Sequence, residues 1–126
     1  MSLDIMVLDD SSVMRKIVLR TLRQSGLAIG TALEASSGDE GLALLKEGHR
    51  PKLILSDVNM AGMDGITFVR EAREILPPSD TKIVMITTES GEDKVKEAMT
   101  AGANGYLTKP FTPDQVADSL KSLSLG

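Results

Sequence analysis

The apolar run at residues 53–55 leads directly into Ser56 and Asp57, and a glycine-containing loop then extends to Asp64. A short continuous apolar run between turn signals is typical of a strand that is buried on both faces, as in a parallel sheet. Open parallel sheets place their functional groups at the carboxyl ends of their strands. The sequence therefore predicts that Asp57 lies at the functional edge of a parallel sheet.

Strand and helix patterns alternate five times along the chain. The predicted strands cover residues 4–8, 29–35, 53–57, 82–87 and 105–108, and the predicted helices cover about 13–24, 38–48, 65–76, 90–102 and 113–123. This alternation predicts an α/β fold with a five-stranded parallel sheet and helices on both faces. Five such units fit the flavodoxin-like (βα)5 order 2-1-3-4-5, with its switch point between the first and third strands.

The first predicted helix carries both apolar and basic residues. We expect one side to pack on the sheet and the other to face solvent. The apolar side comprises Val13, Met14, Ile17 and Leu22, and the basic side comprises Arg15, Lys16, Arg20 and Arg23. The basic side is either a solvated helix face or a docking surface for a partner.

Composition excludes several classes of protein. The chain has 126 residues, the size of a single domain, and a net charge of -4 that argues against binding to nucleic acid. With one tyrosine, two phenylalanines and no tryptophan, it lacks the aromatic residues of a base-stacking surface. No apolar run is long enough to span a membrane, and without cysteine there is no disulfide. We expect a cytoplasmic protein with a single domain over residues 1–126.

Chemically useful side chains end four of the five predicted strands. Asp9 and Asp10 follow the first strand, Asp57 ends the third, Thr87 ends the fourth and Lys109 follows the fifth. Carboxylates that converge in this way need a cation, and Mg²⁺, with Mn²⁺ as an alternative, suits oxygen ligands. A carboxylate can also attack phosphorus, while a lysine and a metal stabilise the phosphoryl oxygens. The sequence therefore predicts a phosphorylatable aspartate site.

Over essentially its whole length, the chain resembles a response regulator receiver domain. The matching motifs are Asp9-Asp10, the segment Asp57-Val-Asn-Met-Ala-Gly-Met-Asp-Gly65, Thr87, and Gly105-Tyr-Leu-Thr-Lys-Pro-Phe111. Asn59 and Glu89, which stand where the family varies, together with the expected absence of an output domain, most resemble stand-alone chemotaxis receivers of the CheY type. One departure from the family pattern is Ala61, which stands where the family usually has proline.

The resemblance implies specific roles for the residues at the sheet edge. Asp57 would be the phosphoacceptor, Lys109 would contact the phosphoryl group, and Thr87 and Tyr106 would form a switch pair. The metal ligands would be Asp9, Asp10, Asp57 and the backbone carbonyl of Asn59. Asn59 and Glu89 would tune the lifetime of the phosphoryl group, and the Lys109–Pro110 peptide bond would be cis.

The implied function is two-component signal transduction. A histidine kinase or histidine phosphotransfer protein would phosphorylate Asp57, and the face formed by the fourth helix, fifth strand and fifth helix would then bind a downstream protein. The chain would catalyse only its own phosphorylation and slow dephosphorylation. We expect no direct contact with nucleic acid or membrane.

Three other functions are compatible with parts of the pattern. A receiver-like adaptor would bind partners without phosphorylation, but Asp57, Thr87 and Lys109 favour a phosphorylated switch. A haloacid dehalogenase-type phosphatase would carry an Asp-x-Asp motif after its first strand, where this chain has Asp9-Asp10. A flavodoxin would not begin its phosphate-binding loop with two acidic residues.

Overall fold

Five strands alternate with five helices in the computed structural model, which describes residues 3–58, 60, 62–77, 80–87, 92–109 and 111–123. The strands are β1 (Leu3–Leu8), β2 (Ile29–Ala35), β3 (Leu53–Asp57), β4 (Lys82–Thr87) and β5 (Gly105–Thr108). The helices are α1 (Ser12–Gln24), α2 (Gly38–Lys46), α3 (Gly65–Arg73), α4 (Glu92–Ala101) and α5 (Pro113–Lys121). The strands pair in parallel in the order β2-β1-β3-β4-β5, which confirms the predicted topology.

Side-chain caps begin four of the helices at the positions that the sequence indicates. Ser11, Ser37, Asp64 and Thr112 each accept a hydrogen bond from the backbone N–H three residues later. Such a bond satisfies one of the N–H groups that have no partner within the helix. Thr112 also forms a capping box with Gln115.

Helices α2, α3 and α5 each end two or three residues earlier than predicted. α2 ends at Lys46, and Gly48 follows with a φ of 109°. α3 ends at Arg73, where the sequence predicted helix as far as Leu76. The N–H groups of Ile75 and Leu76 both bond the carbonyl of Ala72, so the chain tightens into turns that bury Leu76.

Alternating strand residues build a separate core on each face of the sheet. Met6, Ile54 and Ile83 pack with α2, α3 and α4, whereas Val7 and Val84 pack with α1 and α5. β3 lies in the middle, and all five of its residues are buried. The central position of β3 therefore holds Asp57 rigidly at the carboxyl edge.

The prediction of which apolar residues of α1 pack on the sheet is partly wrong. Val13 is 66% exposed and Ile17 is 43% exposed, whereas the buried residues include Val18, Leu19 and Leu22. Apolar residues extend around more of this helix than the arc that can face the sheet and α5. Val13 and Ile17 lie beyond that arc and remain in contact with solvent.

A half-buried arginine, Arg73, connects α3 to the amino ends of β4 and β5. The Arg73 guanidinium donates hydrogen bonds to the carbonyls of Thr81 and Gly102 and to Asn104 Oδ1, at 2.7–2.9 Å. Asn104 Oδ1 also accepts from the N–H of Ile83. Burial lowers the pKa of Arg73. This network fixes the chain immediately after α4, at the edge of the sheet opposite Asp57.

No helix among the described residues is both long and apolar enough to cross a lipid bilayer.

Candidate functional site

Three carboxylates converge at the carboxyl edge of the sheet, as predicted. Leu8 pairs with Ser56 in the parallel ladder, so Asp9 and Asp57 are the next residues on neighbouring strands. Carboxylate oxygens of Asp9, Asp10 and Asp57 lie within 4.8 Å of one another. Asp9 and Asp57 are buried, whereas Asp10 is exposed and opens the cluster to solvent.

Lys109 lies between two of these carboxylates. Its Nζ is 3.3 Å from Asp9 Oδ2 and 3.5 Å from Asp57 Oδ2. The backbone N–H of Lys109 donates to the Thr87 carbonyl at 2.7 Å, so β4 fixes the point from which the lysine side chain extends. The ammonium group partly neutralises the carboxylate cluster, whose like charges would otherwise repel each other.

Asp9 is held by four separate hydrogen bonds. Its N–H donates to the Ala35 carbonyl at 3.1 Å, and its Oδ1 accepts from the Ser11 N–H at 2.9 Å. Oδ2 faces Lys109, and the Asp9 carbonyl accepts from Arg15 Nη1 at 2.7 Å. Backbone and carboxylate are therefore both fixed.

Sequence reasoning assigned Arg15 to the solvent-facing basic side of α1, and that assignment is wrong. The Arg15 side chain is only 15% exposed, and its Nε donates to Glu34 Oε1 at 3.0 Å. The neighbouring Lys16, 67% exposed, bonds the other oxygen of Glu34 at 2.7 Å. These two cations, Lys16 first, lower the pKa of Glu34 against the opposing effect of burial. The spacing of residues on α1 carries no signal for a contact with a distant strand.

Gly65 packs directly against the backbone of Asp57, the candidate phosphoacceptor. Its N–H donates to the Val58 carbonyl at 2.9 Å. A Cβ at this position would overlap the carbonyl oxygen of Asp57 and lie 2.9 Å from both Met85 Cε and Val58 Cα. The sequence indicated Gly65 only as the start of a helix, yet the close approach of two backbone segments requires glycine here.

Thr87 and Tyr106 border the same small cavity of about 10 Å³ behind the site. Thr87 is buried at the end of β4, while Tyr106 on β5 is 45% exposed. The cavity is lined by Val58, Met85, Thr87, Val95, Ala98 and Tyr106. The predicted switch pair therefore shares one apolar space.

Four residues that the sequence analysis singled out lie outside the described part of the chain. They are Asn59, with its carbonyl as a metal ligand, Ala61, Glu89 and Pro110 with its cis bond. Their predicted roles stay predictions.

The chain matches known proteins across nearly all of its length. Residues 5–121 match the response regulator receiver domain. A chemotaxis protein CheY homolog of Campylobacter jejuni is 38% identical over 119 residues, which cover 94% of this chain and 90% of that protein. Chemotaxis protein CheY1 of Helicobacter pylori is also 38% identical, with 93% of each chain covered.

Solved structures give the same result. The structure of chemotaxis protein CheY4 of Vibrio cholerae superposes with a TM-score of 0.84 at 34% identity, covering 98% of this chain and 99% of that one. The receiver domain of the NarL response regulator of Mycobacterium tuberculosis gives a TM-score of 0.81 at 30% identity, with 96% and 94% covered. With its five-stranded parallel fold and its cluster of three aspartates, the chain belongs to the response regulator receiver family and is of the CheY type.

Proposed function

We propose that this chain is a phosphorylation-dependent switch in which Asp57 accepts a phosphoryl group from a histidine kinase or histidine phosphotransfer protein. The observation that carries the proposal is the placement of Lys109 Nζ between Asp9 and Asp57, at 3.3 and 3.5 Å. A nucleophilic carboxylate, a second carboxylate and a cation thus meet where Asp10 opens the site to solvent.

The donor set fits a divalent metal ion. Carboxylate oxygens are the hard ligands that Mg²⁺ prefers, and three of them lie within 4.8 Å of one another. Asp9, Asp10 and Asp57 would hold the ion, with the Asn59 carbonyl as a further ligand and with Mn²⁺ able to replace Mg²⁺. When bound, the ion would supply positive charge to the oxygens of the incoming phosphoryl group.

Asp57 acts as the nucleophile. One carboxylate oxygen attacks phosphorus and forms an O–P bond, while the P–N bond to the donor histidine breaks and its imidazole leaves with the electron pair. Lys109 then moves its ammonium from the two carboxylates to the phosphoryl oxygens, where negative charge accumulates. Hydrolysis later returns Asp57 to its carboxylate form, and we propose that Asn59 and Glu89 set the rate of this hydrolysis.

Thr87 and Tyr106 transmit the effect of phosphorylation to the surface that binds a partner. The phosphoryl group carries nearly two negative charges where the Asp57 carboxylate carried one, and it brings three acceptor oxygens, one of which the Thr87 hydroxyl can bond. Movement of that hydroxyl changes the cavity that Tyr106 also borders. Tyr106 and Met99 are large apolar residues that are each 45% exposed, on β5 and α4. A downstream protein would bind this face of α4, β5 and α5.

Mass spectrometry of the intact protein tests the proposal. After incubation with acetyl phosphate and Mg²⁺, we expect one added phosphoryl group, and none when the metal is chelated before acetyl phosphate is added. Asp57→Asn should acquire none, while Asp39→Asn, an exposed carboxylate in the first turn of α2, should react like the wild type.

A protein that acquires no phosphoryl group and binds no beryllofluoride would contradict the proposal. Partner binding by such a protein would favour the phosphate-independent adaptor. Beryllofluoride binding without a stable adduct would indicate fast hydrolysis at Asp57.

A further inference from the structure

We propose that Arg15 is a positioning residue for the acidic site, which holds the Asp9 carbonyl and thereby directs the Asp10 carboxylate toward the metal. The inference rests on the proposed metal-dependent function. Arg15 touches none of the three carboxylate groups in its described hydrogen bonds; it acts on the backbone between two of them.

Peptide geometry connects the Arg15 contact to Asp10. The Asp9 carbonyl belongs to the peptide group that joins Asp9 to Asp10, and that group is planar. A hydrogen bond of 2.7 Å from Arg15 Nη1 fixes the orientation of the plane, and so the direction in which the Asp10 Cα leaves it. Asp10 is the exposed carboxylate of the cluster, with less packing to hold it than its two buried neighbours.

Strand β2 provides the anchor on both sides of Asp9. The Ala35 carbonyl accepts the Asp9 N–H directly. The carboxylate of the preceding residue, Glu34, accepts a hydrogen bond from Arg15 Nε, and Arg15 Nη1 in turn donates to the Asp9 carbonyl. Two consecutive residues of β2 therefore fix both polar groups of the Asp9 backbone, one directly and one through the guanidinium.

Electrostatics alone would disfavour an arginine at this place. α1 begins at Ser12, and a cation near the amino end of a helix opposes the helix dipole. A positive side chain beside a metal site also repels the metal. Of these two effects, the repulsion acts on metal affinity, so the charge of Arg15 would weaken metal binding, whereas its hydrogen bond to the Asp9 carbonyl would strengthen it. The two roles can therefore be separated by the sign of a mutational effect.

Metal titration of three variants separates the effect of the Arg15 charge from the effect of its hydrogen bond. Binding of Mn²⁺ to the phosphate-free protein is followed by the electron paramagnetic resonance signal of the free ion, with Mg²⁺ as competitor. Arg15→Lys keeps the charge but has one nitrogen for two acceptors, and Arg15→Ala removes both charge and contact. Lys16→Ala is the matched control, because Lys16 bonds Glu34 and has no described hydrogen bond to Asp9. Thermal denaturation without metal identifies the temperature range in which every variant is folded.

We expect Arg15→Lys to bind Mn²⁺ about tenfold more weakly than the wild type, the lower end of what losing a supporting contact to a metal site costs. Arg15→Ala, which also loses the repelling charge, should bind more weakly than the wild type but more tightly than Arg15→Lys. Lys16→Ala should bind as well as the wild type or slightly better. Wild-type affinity in Arg15→Lys together with equal or tighter binding in Arg15→Ala would overturn the inference and leave the proposed function standing. A wild-type protein that binds no metal would instead overturn the metal-dependent function, and the positioning role with it.

Discussion

Replacing Gly65 with alanine should damage both stability and phosphorylation, although local rules predict the opposite. Alanine is the better helix former, and a Gly-to-Ala change that fits its site stabilises a protein by about 0.4–1 kcal/mol. Gly65 is the first residue of α3, directly after its Asp64 cap. A prediction from helix propensity alone would therefore be a small gain in stability.

The structure predicts a loss of stability for Gly65→Ala instead of a gain. The new methyl group would overlap the Asp57 carbonyl oxygen and lie 2.9 Å from Met85 Cε and Val58 Cα. Two of these three atoms belong to the backbone and cannot rotate away, so the chain must shift by about half an ångström or more. Overpacking of this kind costs about 1–3 kcal/mol, which exceeds the propensity gain. We expect a net loss of about 1–2 kcal/mol, or roughly 3–10 °C in Tm for a domain of this size.

The backbone shift in Gly65→Ala would displace Asp57, the proposed nucleophile. Misplacing a reacting group by about 1 Å can slow a reaction by about a hundredfold. A displacement of about half that size at Asp57 should slow phosphorylation by acetyl phosphate about tenfold. Chemical denaturation measures the stability, and time-resolved mass spectrometry measures the rate.

Gly38→Ala is a matched control for this prediction. Gly38 is also the first residue of a helix and follows the Ser37 cap. The three atoms nearest to an added Cβ there all belong to the side chain of Met63, the closest being its Sδ at 2.8 Å. A flexible thioether can move aside, so Gly38→Ala should be neutral or slightly stabilising and should react normally. The reasoning would be refuted if Gly65→Ala were as stable and as reactive as Gly38→Ala.

Three further substitutions have expected outcomes. Lys109→Met leaves the two carboxylates that Lys109 bridges without its charge, so metal-free protein should lose about 1–2 kcal/mol in urea denaturation; unchanged stability would mean that the bridge contributes little. The lowered folded pKa of Glu34 means that its ion pairs stabilise the protein above the ordinary value of 4.5 and are lost as the pH falls through the lowered one. The stability that these ion pairs add to the wild type over Glu34→Gln, below about 1 kcal/mol, should therefore shrink as the pH falls below 4.5, which a series of Tm measurements would show. A difference in Tm that does not depend on pH would exclude this cause. Arg73→Lys cannot reach the three oxygen acceptors of the guanidinium and should cost about 2–3 kcal/mol in the same denaturation assay, whereas a loss below about 0.5 kcal/mol would show that the network adds little.

The architecture and the carboxylate cluster could be predicted from sequence because their signals are local. Apolar runs mark the strands, polar caps mark most helix starts, and the parallel order then brings Asp9 and Asp57 to one edge. Lys109 follows from the same rule, since it comes directly after a strand. The structure confirms each of these placements.

The contacts that refine the site depend on tertiary distances and left no local signal. Arg15 reaches Glu34, which is 19 residues away in sequence, and its inward orientation follows from how α1 is rotated against the sheet. The same rotation leaves Val13 exposed, although it is apolar and lies within the predicted helix. Gly65 looks like an ordinary helix start until the Asp57 backbone is placed against it. Each of these positions is determined by packing between elements.

The half-buried Arg73 network has a mechanical consequence for α4. By fixing Gly102 and Asn104, it provides a pivot at the carboxyl end of a ten-residue helix that is about 15 Å long. A lever of that length needs a tilt of only about 4° for its far end to travel about 1 Å. Small angular changes about this pivot move the start of α4 most and its end least. A load applied at the start of the helix therefore meets less resistance than the same load at its anchored end.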